Sequence, residues 1–315
     1  VSDDRAFVYG GFHDSPGLHH QAALFVFHCT EMGWVEDERI ELDGSVDFDG
    51  YGKSVVVSGN LLAYGDALAD VGGSADQGSV TIYEFADGAW SRQATLVADD
   101  GLPGQRFGWA VSLSGERLAV GAGGQNGALY VFHREGEDWV EEPVVLPPLP
   151  PAAGLGTSVE IAGTFLAAGP ASYDVADNAE GAVFMFRWNG AAWEPTSMLT
   201  ASDKANGDLL GWEVAMRGPM VVACAPNHQV AGPPHTQGVP YVFDTLPPGW
   251  LFPGRGVRGV EGALGLVGET QLRAGLGQRQ PAHQDELEDG LVDRRQAGDP
   301  VADQGALAGE VQIVP

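Results

Sequence analysis

The chain has 315 residues, 44% of them hydrophobic, with 43 acidic against 16 basic side chains and a formal charge of -27. That apolar content supplies a core, while so acidic a chain, with Lys53 and Lys204 as its lysines, argues against nucleic acid as a partner and suits a secreted or salt-exposed protein. No run of eighteen apolar residues would span a membrane as a helix. Cys29 and Cys224 make neither a disulfide framework nor a zinc site, and as residues of expected strands they read as buried free thiols.

Taken in order, residues 1–42 open with RAFVYG, an expected second strand, followed by AALFVF as a third and by Trp34. The innermost strand of this unit is missing. With valine at position 1 the chain reads as a fragment or processed product, which leaves export open. From residue 51 a fuller unit recurs. An aromatic residue or leucine plus glycine opens a strand at Tyr51-Gly52, Phe107-Gly108, Leu155-Gly156 and Leu210-Gly211, with glycine spacings of 56, 48 and 55. Next come short apolar runs ending in small residues (LLAYG, RLAVGAG, FLAAGP, VVACAP), then strands after a glycine (GSVTIYEF, GALYVF, GAVFMF, GVPYVF). Trp90, Trp139, Trp193 and Trp250 each fall twelve residues beyond that glycine.

Four short strands in a period of about fifty residues are the pattern of a propeller blade. The expectation is an all-β propeller of four-stranded blades, five of them recognisable: 1–42 without its inner strand, then 51–96, 107–146, 155–199 and 210–250. Phe107, Trp109, Val111 and Leu113 alternate with Gly108, Ala110, Ser112 and Ser114, so a bulky face should meet a thin one between neighbours. One tryptophan per blade fits packing between blades. The less regular Trp109 and Trp212 read first as core packing, with contact to a ligand as the alternative if the first strand lines a channel.

Ser58-Gly59-Asn60, Ser114-Gly115-Glu116, Ala162-Gly163-Thr164, Asp87-Gly88 and Asn189-Gly190 read as tight hairpin turns that share one rim. The opposite rim takes the longer loops 66–77, 171–180 and 227–237 and the connectors 97–106 and 200–209. Binding is expected on that side.

Phe107-Gly108, together with Gly169-Pro170 and Ala225-Pro226, resembles the FG-GAP repeat family, the unit of the integrin alpha-subunit propeller, and most closely its bacterial branch. The resemblance covers roughly the first 250 residues. It implies four-stranded propeller blades on secreted or surface proteins that bind other molecules. Family repeats often carry a DxDxDG calcium loop between their first two strands, whereas this chain has Ser-Gly-Glu or Ala-Gly-Thr there, too poor in oxygen for a hard cation. No cofactor is therefore expected, and a shift of melting temperature with calcium should be small. Asp47 and Asp49 imitate half of that motif but precede the first strand, which leaves them weak metal candidates.

The candidate ligand rim comprises Asp66, Asp70, Asp76, Asp99, Asp100, Asp174, Asp177, Asp203, Asp208, His228 and His235. Solvated charge is the plain reading of these carboxylates, a surface for a cation or basic partner the sharper one. His19, His20, His228 and His235 read as surface loop histidines, since a metal would need three or four ligands from separate blades. No nucleophile elbow, phosphate-cradling loop or acid pair stands out. The expected function is a non-enzymatic, extracellular or surface-exposed module that binds a protein or glycan. A polysaccharide hydrolase or lyase on the same rim is one alternative, and a structural spacer in a larger surface protein is another.

After Trp250 the pattern stops. Residues 251–315 contain one aromatic, Phe252, and no period, and they read as a frame-shifted or otherwise foreign continuation, with a degenerate blade as the alternative. Residues 310–314 alternate like a strand and could close a ring beside residues 6–9, yet an open arc is expected because the sixty residues before them show no imprint of the repeat.

Overall fold

Runs such as KSVVVS, LLAYGD and SVTIYEFA are rich in β-branched and aromatic residues and are interrupted by glycine, a composition that suits a half-buried pleated surface. The computed structural model describes residues 5–15, 18–41, 53–124, 127–147, 155–170, 179–229, 238–245 and 268–270. All of these lie in the first of two units, Val1–Ala274 and Gly275–Pro315. Every regular element described is a strand.

Sheet 1 has the order β1 (Arg5–Ser15), β2 (Leu18–Thr30), β3 (Gly33–Glu41). Sheet 2 follows with β4 (Lys53–Ser58), β5 (Leu61–Asp66), β6 (Ser79–Ala86) and β7 (Ala89–Leu96). Sheet 3 is β8 (Phe107–Ser114), β9 (Arg117–Ala122), β10 (Ala128–Glu135) and β11 (Asp138–Glu142). Sheet 4 is β12 (Ser158–Ala162), β13 (Phe165–Gly169), β14 (Val183–Trp188) and β15 (Trp193–Leu199). Sheet 5 is β16 (Val214–Arg217), β17 (Met220–Ala225), β18 (Val239–Asp244) and β19 (Gly268–Thr270). Pairing is antiparallel between strands that follow one another in sequence, so the protein is an all-β, propeller-like array of three- and four-stranded sheets that resemble blades. One detail departs from the sequence reading. The last strand of sheet 5 comes from 268–270, inside the stretch taken as a non-repeat tail, where Val242 pairs with Thr270 and Phe243 with Glu269. Trp250, the rest of 251–315 and the closing strand at 310–314 lie outside the described residues.

Consecutive sheets pack face to face. Leu24, Val26 and Ile40 of sheet 1 meet Leu62, Tyr64 and Tyr83 of sheet 2, while Leu61, Ala63, Val80 and Ile82 on the other face of sheet 2 meet sheet 3. On sheet 3, Leu118, Val120, Tyr130 and Phe132 face backward to sheet 2, whereas Ala119, Leu129 and Val131 face forward to sheet 4. A bulky face thus meets a thin one, as period-two alternation dictates. The alternation of β8 contains an irregularity: Phe107 pairs with Ala122 but Ala110 with Gly121, so Gly108 and Trp109 form a bulge.

That bulge has a packing purpose. Gly108, Gly156 and Gly211 sit at φ of +87°, +92° and +92°, in the left-handed region that side chains avoid. Their carbonyl oxygens press on the preceding sheet at Gly65, Gly121 and Gly169, where a Cβ would lie 2.0 Å away in each case. The hydroxyls of Ser54 and Ser158 donate to the carbonyls of Gly108 and Gly211 at 3.2 and 2.7 Å. Glycine is required on both sides of this contact.

The repeated tryptophans pack on the sheet before them. Trp90 joins Leu24, Val26 and Ile40 of sheet 1, and Trp139 packs against the cluster between sheets 2 and 3. Trp193, fully buried, donates from Nε1 to Glu142 of sheet 3 at 2.6 Å. Its backbone also leaves its own sheet, since Trp193 N donates to Pro143 O at 2.8 Å and Val145 N to Trp193 O at 2.9 Å. Trp34 is the exception at 51% exposure, because no sheet precedes sheet 1 among the described residues. Cys29 corrects a second expectation: it is exposed rather than buried, beside Trp34 at the turn of the β2–β3 hairpin.

Candidate functional site

Strand order puts the two-residue turns at one end of the sheets and the longer loops and connectors at the other. Two connectors, 99–108 and 202–211, share a pattern: Asp100 and Asp203 lie seven residues before Phe107 and Leu210, and Gly104 and Gly207 three before. Both glycines, at φ of +73° and +81°, turn the chain back toward the sheet. In each connector a side-chain oxygen then closes a small loop: Leu102 N donates to Gln105 Oε1 at 2.9 Å, and Ala205 N to Asp208 Oδ2 at 2.6 Å. A tyrosine of the third strand braces it from below. Tyr130 OH donates to Asp100 Oδ1 at 2.8 Å and accepts from Gln105 Nε2 at 2.9 Å. Tyr241 OH donates to Asp203 Oδ1 at 2.9 Å.

The second connector adds a histidine. His228 and Asp208 are both buried, with Nδ1 2.8 Å from Asp208 Oδ2, so the carboxylate accepts and the imidazole proton sits on Nδ1. His228 Nε2 is 3.9 Å from Asp203 Oδ2, too far for a hydrogen bond. The connectors also pair with the loop of the preceding sheet: Arg106 N donates to Asp76 O and Phe107 N to Gln77 O, as Leu209 N does to Ala179 O and Leu210 N to Glu180 O. Lys204 Nζ reinforces the second at 2.7 Å from Glu180 Oε2. Burial, then the neighbouring Asp100, pushes the Tyr130 phenol well above its ordinary range. Burial, then Asp100 and Asp99, likewise raises Glu141.

The rim carboxylates therefore divide. Asp100, Asp203 and Asp208 belong to the connector clasps, and Asp70 Oδ1 accepts from Asp76 N at 3.0 Å inside the 66–77 loop. Asp66 is buried at the end of β5, and Asp99 stays at the surface beside Asp100. Two expectations change. His228 is a core-facing partner of Asp208 and not a surface histidine, because its loop folds back onto the connector. His19 and His20 belong to β2 and not to a loop, since β1 and β2 run on to pair Ser15 with Leu18. Trp212 is exposed and Trp109 half-buried. Asp47, Asp49, Asp174, Asp177 and His235 lie outside the described residues. Among the described residues no three His, Cys, Asp or Glu side chains group as metal ligands, and no helix is long and apolar enough to cross a membrane. Gln105, Tyr130 and Tyr241 were not singled out from the sequence, although the matched aspartate and glycine spacing of the two connectors was there to find.

Residues 90–132 and 193–243 match the FG-GAP repeat model. The chain contains FG-GAP repeats. Each matched stretch begins on the tryptophan that docks on the preceding sheet and, in the FG-GAP segment 193–243, runs through the second clasp to Phe243. No curated protein sequence matches the chain. Among solved structures it is similar to a putative 6-phosphogluconolactonase from Bacteroides uniformis, at 11% identity over 78% of this chain and 66% of that one, TM-score 0.47. It is also similar to the β-propeller domain of the Trilobed protease from Pyrococcus furiosus, at 12% identity over 76% and 61%, TM-score 0.42. A third likeness is to the N-terminal domain of Nup159, at 8% identity over 78% and 65%, TM-score 0.40. This chain spans less than two thirds of the length of each. Superpositions this loose say nothing of activity.

Proposed function

We propose that this chain is a non-enzymatic interaction module, acting outside the cell or at its surface, whose long-loop rim binds a protein or glycan. Its five sheets serve as blades of an incomplete propeller. The observation that carries this reading is the double clasp: loops far longer than a turn are held in one conformation, so a partner meets a preformed surface and little ordering entropy is lost on binding. Exposed Leu102 and Trp212 supply apolar contact on that surface, among carboxylates that favour a basic or hydroxyl-rich partner.

The hydrogen-bonded Asp208–His228 pair favours one second reading, a hydrolase or lyase, because such a pair is half of a proton relay. Against it stands the other connector, which keeps the same geometry with Gln105 in place of Asp208 and so uses the position to brace a loop.

The test is a glycan and protein array probed with the intact chain, run beside a hydrolysis screen. Binding that falls at least tenfold in Leu102→Ala with Trp212→Ala supports the rim. Product release by the intact chain would replace this reading with the hydrolytic one, and neither binding nor turnover would favour a structural spacer.

A further inference from the structure

The turn between β14 and β15 carries an Asn-Gly pair that neither the packing of the sheets nor the long-loop rim puts to use. Trp188 pairs with Trp193, so residues 189–192 form the turn. Both of its ends are held: Trp188 N donates to Thr164 O at 3.0 Å, and Trp193 is fully buried and bonded to sheet 3. Across the turn Asn189 N donates to Ala192 O at 3.1 Å. The side chain closes it a second time, since Asn189 Oδ1 accepts from Ala191 N at 2.8 Å and from Ala192 N at 2.9 Å. Two N–H donors fix which end of that side-chain amide is the oxygen.

Two backbone N–H groups on one carbonyl oxygen form the arrangement that stabilises negative charge when that carbonyl is attacked. The attacking atom stands next in the chain. Gly190 N can close a five-membered ring onto Asn189 Cγ, and among the described residues it donates to no acceptor. Gly190 sits at φ of +101° with open space where a Cβ would stand, so no side chain obstructs the approach. Asn189, Gly190 and Ala191 are all exposed, which gives water access to the site and ammonia a way out.

We propose that Asn189 is a self-modifying site, where the folded turn promotes hydrolysis of the side-chain amide and leaves aspartate. Gly190 N gives up its proton to solvent base and bonds to Asn189 Cγ, while the charge that builds on Oδ1 is met by the N–H groups of Ala191 and Ala192. The Cγ–Nδ2 bond then breaks, and the nitrogen takes protons from water and leaves as ammonia. Water next opens the cyclic imide. Attack at Cγ breaks the new bond to Gly190 N and yields aspartate on an unaltered main chain. Attack at the Asn189 carbonyl carbon breaks the original peptide bond instead and routes the main chain through the side chain as isoaspartate, one methylene longer. The first product alone keeps a carboxylate over both N–H groups, in stronger charge-assisted bonds, and preserves the Trp188–Trp193 register. Sheet 2 carries Asp87-Gly88 in its corresponding hairpin turn. The net reaction consumes water, releases ammonia and transfers no electrons.

The test is to incubate the full chain in mildly alkaline buffer, folded and in parallel unfolded in urea, and to follow the peptide that contains Asn189. Mass spectrometry reads the conversion of amide to acid, and chromatography separates aspartate from isoaspartate. The folded chain should convert about tenfold faster than the unfolded one, less than such donors contribute in a closed active site because this turn is open to water. Its product should be chiefly aspartate. Ala191→Pro removes one of the two donors and should bring the folded rate close to the unfolded one. A folded chain that converts no faster than the unfolded chain overturns the proposal. So does isoaspartate as the main product of the folded chain, or a folded Ala191→Pro variant that converts as fast as the unaltered protein. Should that variant fail to fold, the comparison of folded with unfolded protein decides the matter by itself.

Discussion

The connector ahead of sheet 3 and the connector ahead of sheet 5 trace one backbone with different side chains. Residues 99–108 use Gln105, and residues 202–211 use Asp208, to satisfy the same kind of amide three residues earlier, at Leu102 and at Ala205. Tyr130 and Tyr241 reach the same aspartate position in each. What varies is charge: the first clasp is a neutral amide on a phenol, the second a carboxylate on an imidazole. Gln105 and Asp208 are two ways to tie down one loop. The backbone is the invariant, and it is set by glycine.

The largest expected effect tests that invariant. Gly108→Ala and Gly211→Ala each place a Cβ at positive φ and against the carbonyls of Ser79 and Ala182, which it would approach to 2.5 and 2.3 Å. Each should cost about 3 kcal/mol or more in urea denaturation, and nearly the same amount in both connectors. A much milder loss in one would break the equivalence.

The side chains should separate the two. Asp208→Ala strands both the Ala205 amide and His228 and should cost about 2 kcal/mol, against about 1 kcal/mol for Gln105→Ala, in the same denaturation assay. Next comes Tyr130→Phe, at about 1 kcal/mol for a lost hydrogen bond. It also carries a pH signature. With its pKa raised in the folded state, Tyr130 keeps a proton that the unfolded chain releases above about pH 10, so folding stability declines as pH rises past that point. The phenylalanine variant should show a shallower alkaline decline, read from melting temperatures between pH 9 and 11. Smallest is Glu160→Gln, away from both connectors. Burial holds Glu160 above the usual carboxylate range despite the Ser112 hydroxyl at 3.1 Å, so its ionised form weakens the fold as pH rises above the unfolded value. The glutamine variant should match wild type in acid and gain a few tenths of a kcal/mol at neutral pH, as surface and boundary changes do.

Much of the fold was legible because a repeat states its own rule several times. The glycine, the small-residue run and the tryptophan each answer to a contact between neighbouring sheets, and one sequence shows the contact again and again. The ends were harder. Trp34 has the sequence of its buried counterparts and differs in having no preceding sheet among the described residues, which no local pattern reveals. Three residues at 268–270 are too short to announce a strand, because the ladder to β18 comes from tertiary contact. His228 and Asp208 read as exposed polar loop residues but are buried against each other, since a loop that folds back looks no different in sequence from one that does not. Cys29 failed for a simpler reason: strand membership says nothing about which strand face is covered.

The backbone of Trp193 belongs to two sheets, bonded to Pro143 and Val145 on one side and to its own sheet on the other. In kinetic terms this predicts an order of assembly. The bridge closes the whole stretch of chain that holds β12, β13 and β14, and such closure is entropically unfavourable until the enclosed strands are already compact. The last strand of sheet 4 is therefore expected to dock on sheet 3 only after β12 to β14 are compact, an order that φ-value analysis of Trp193 against positions in β13 would check.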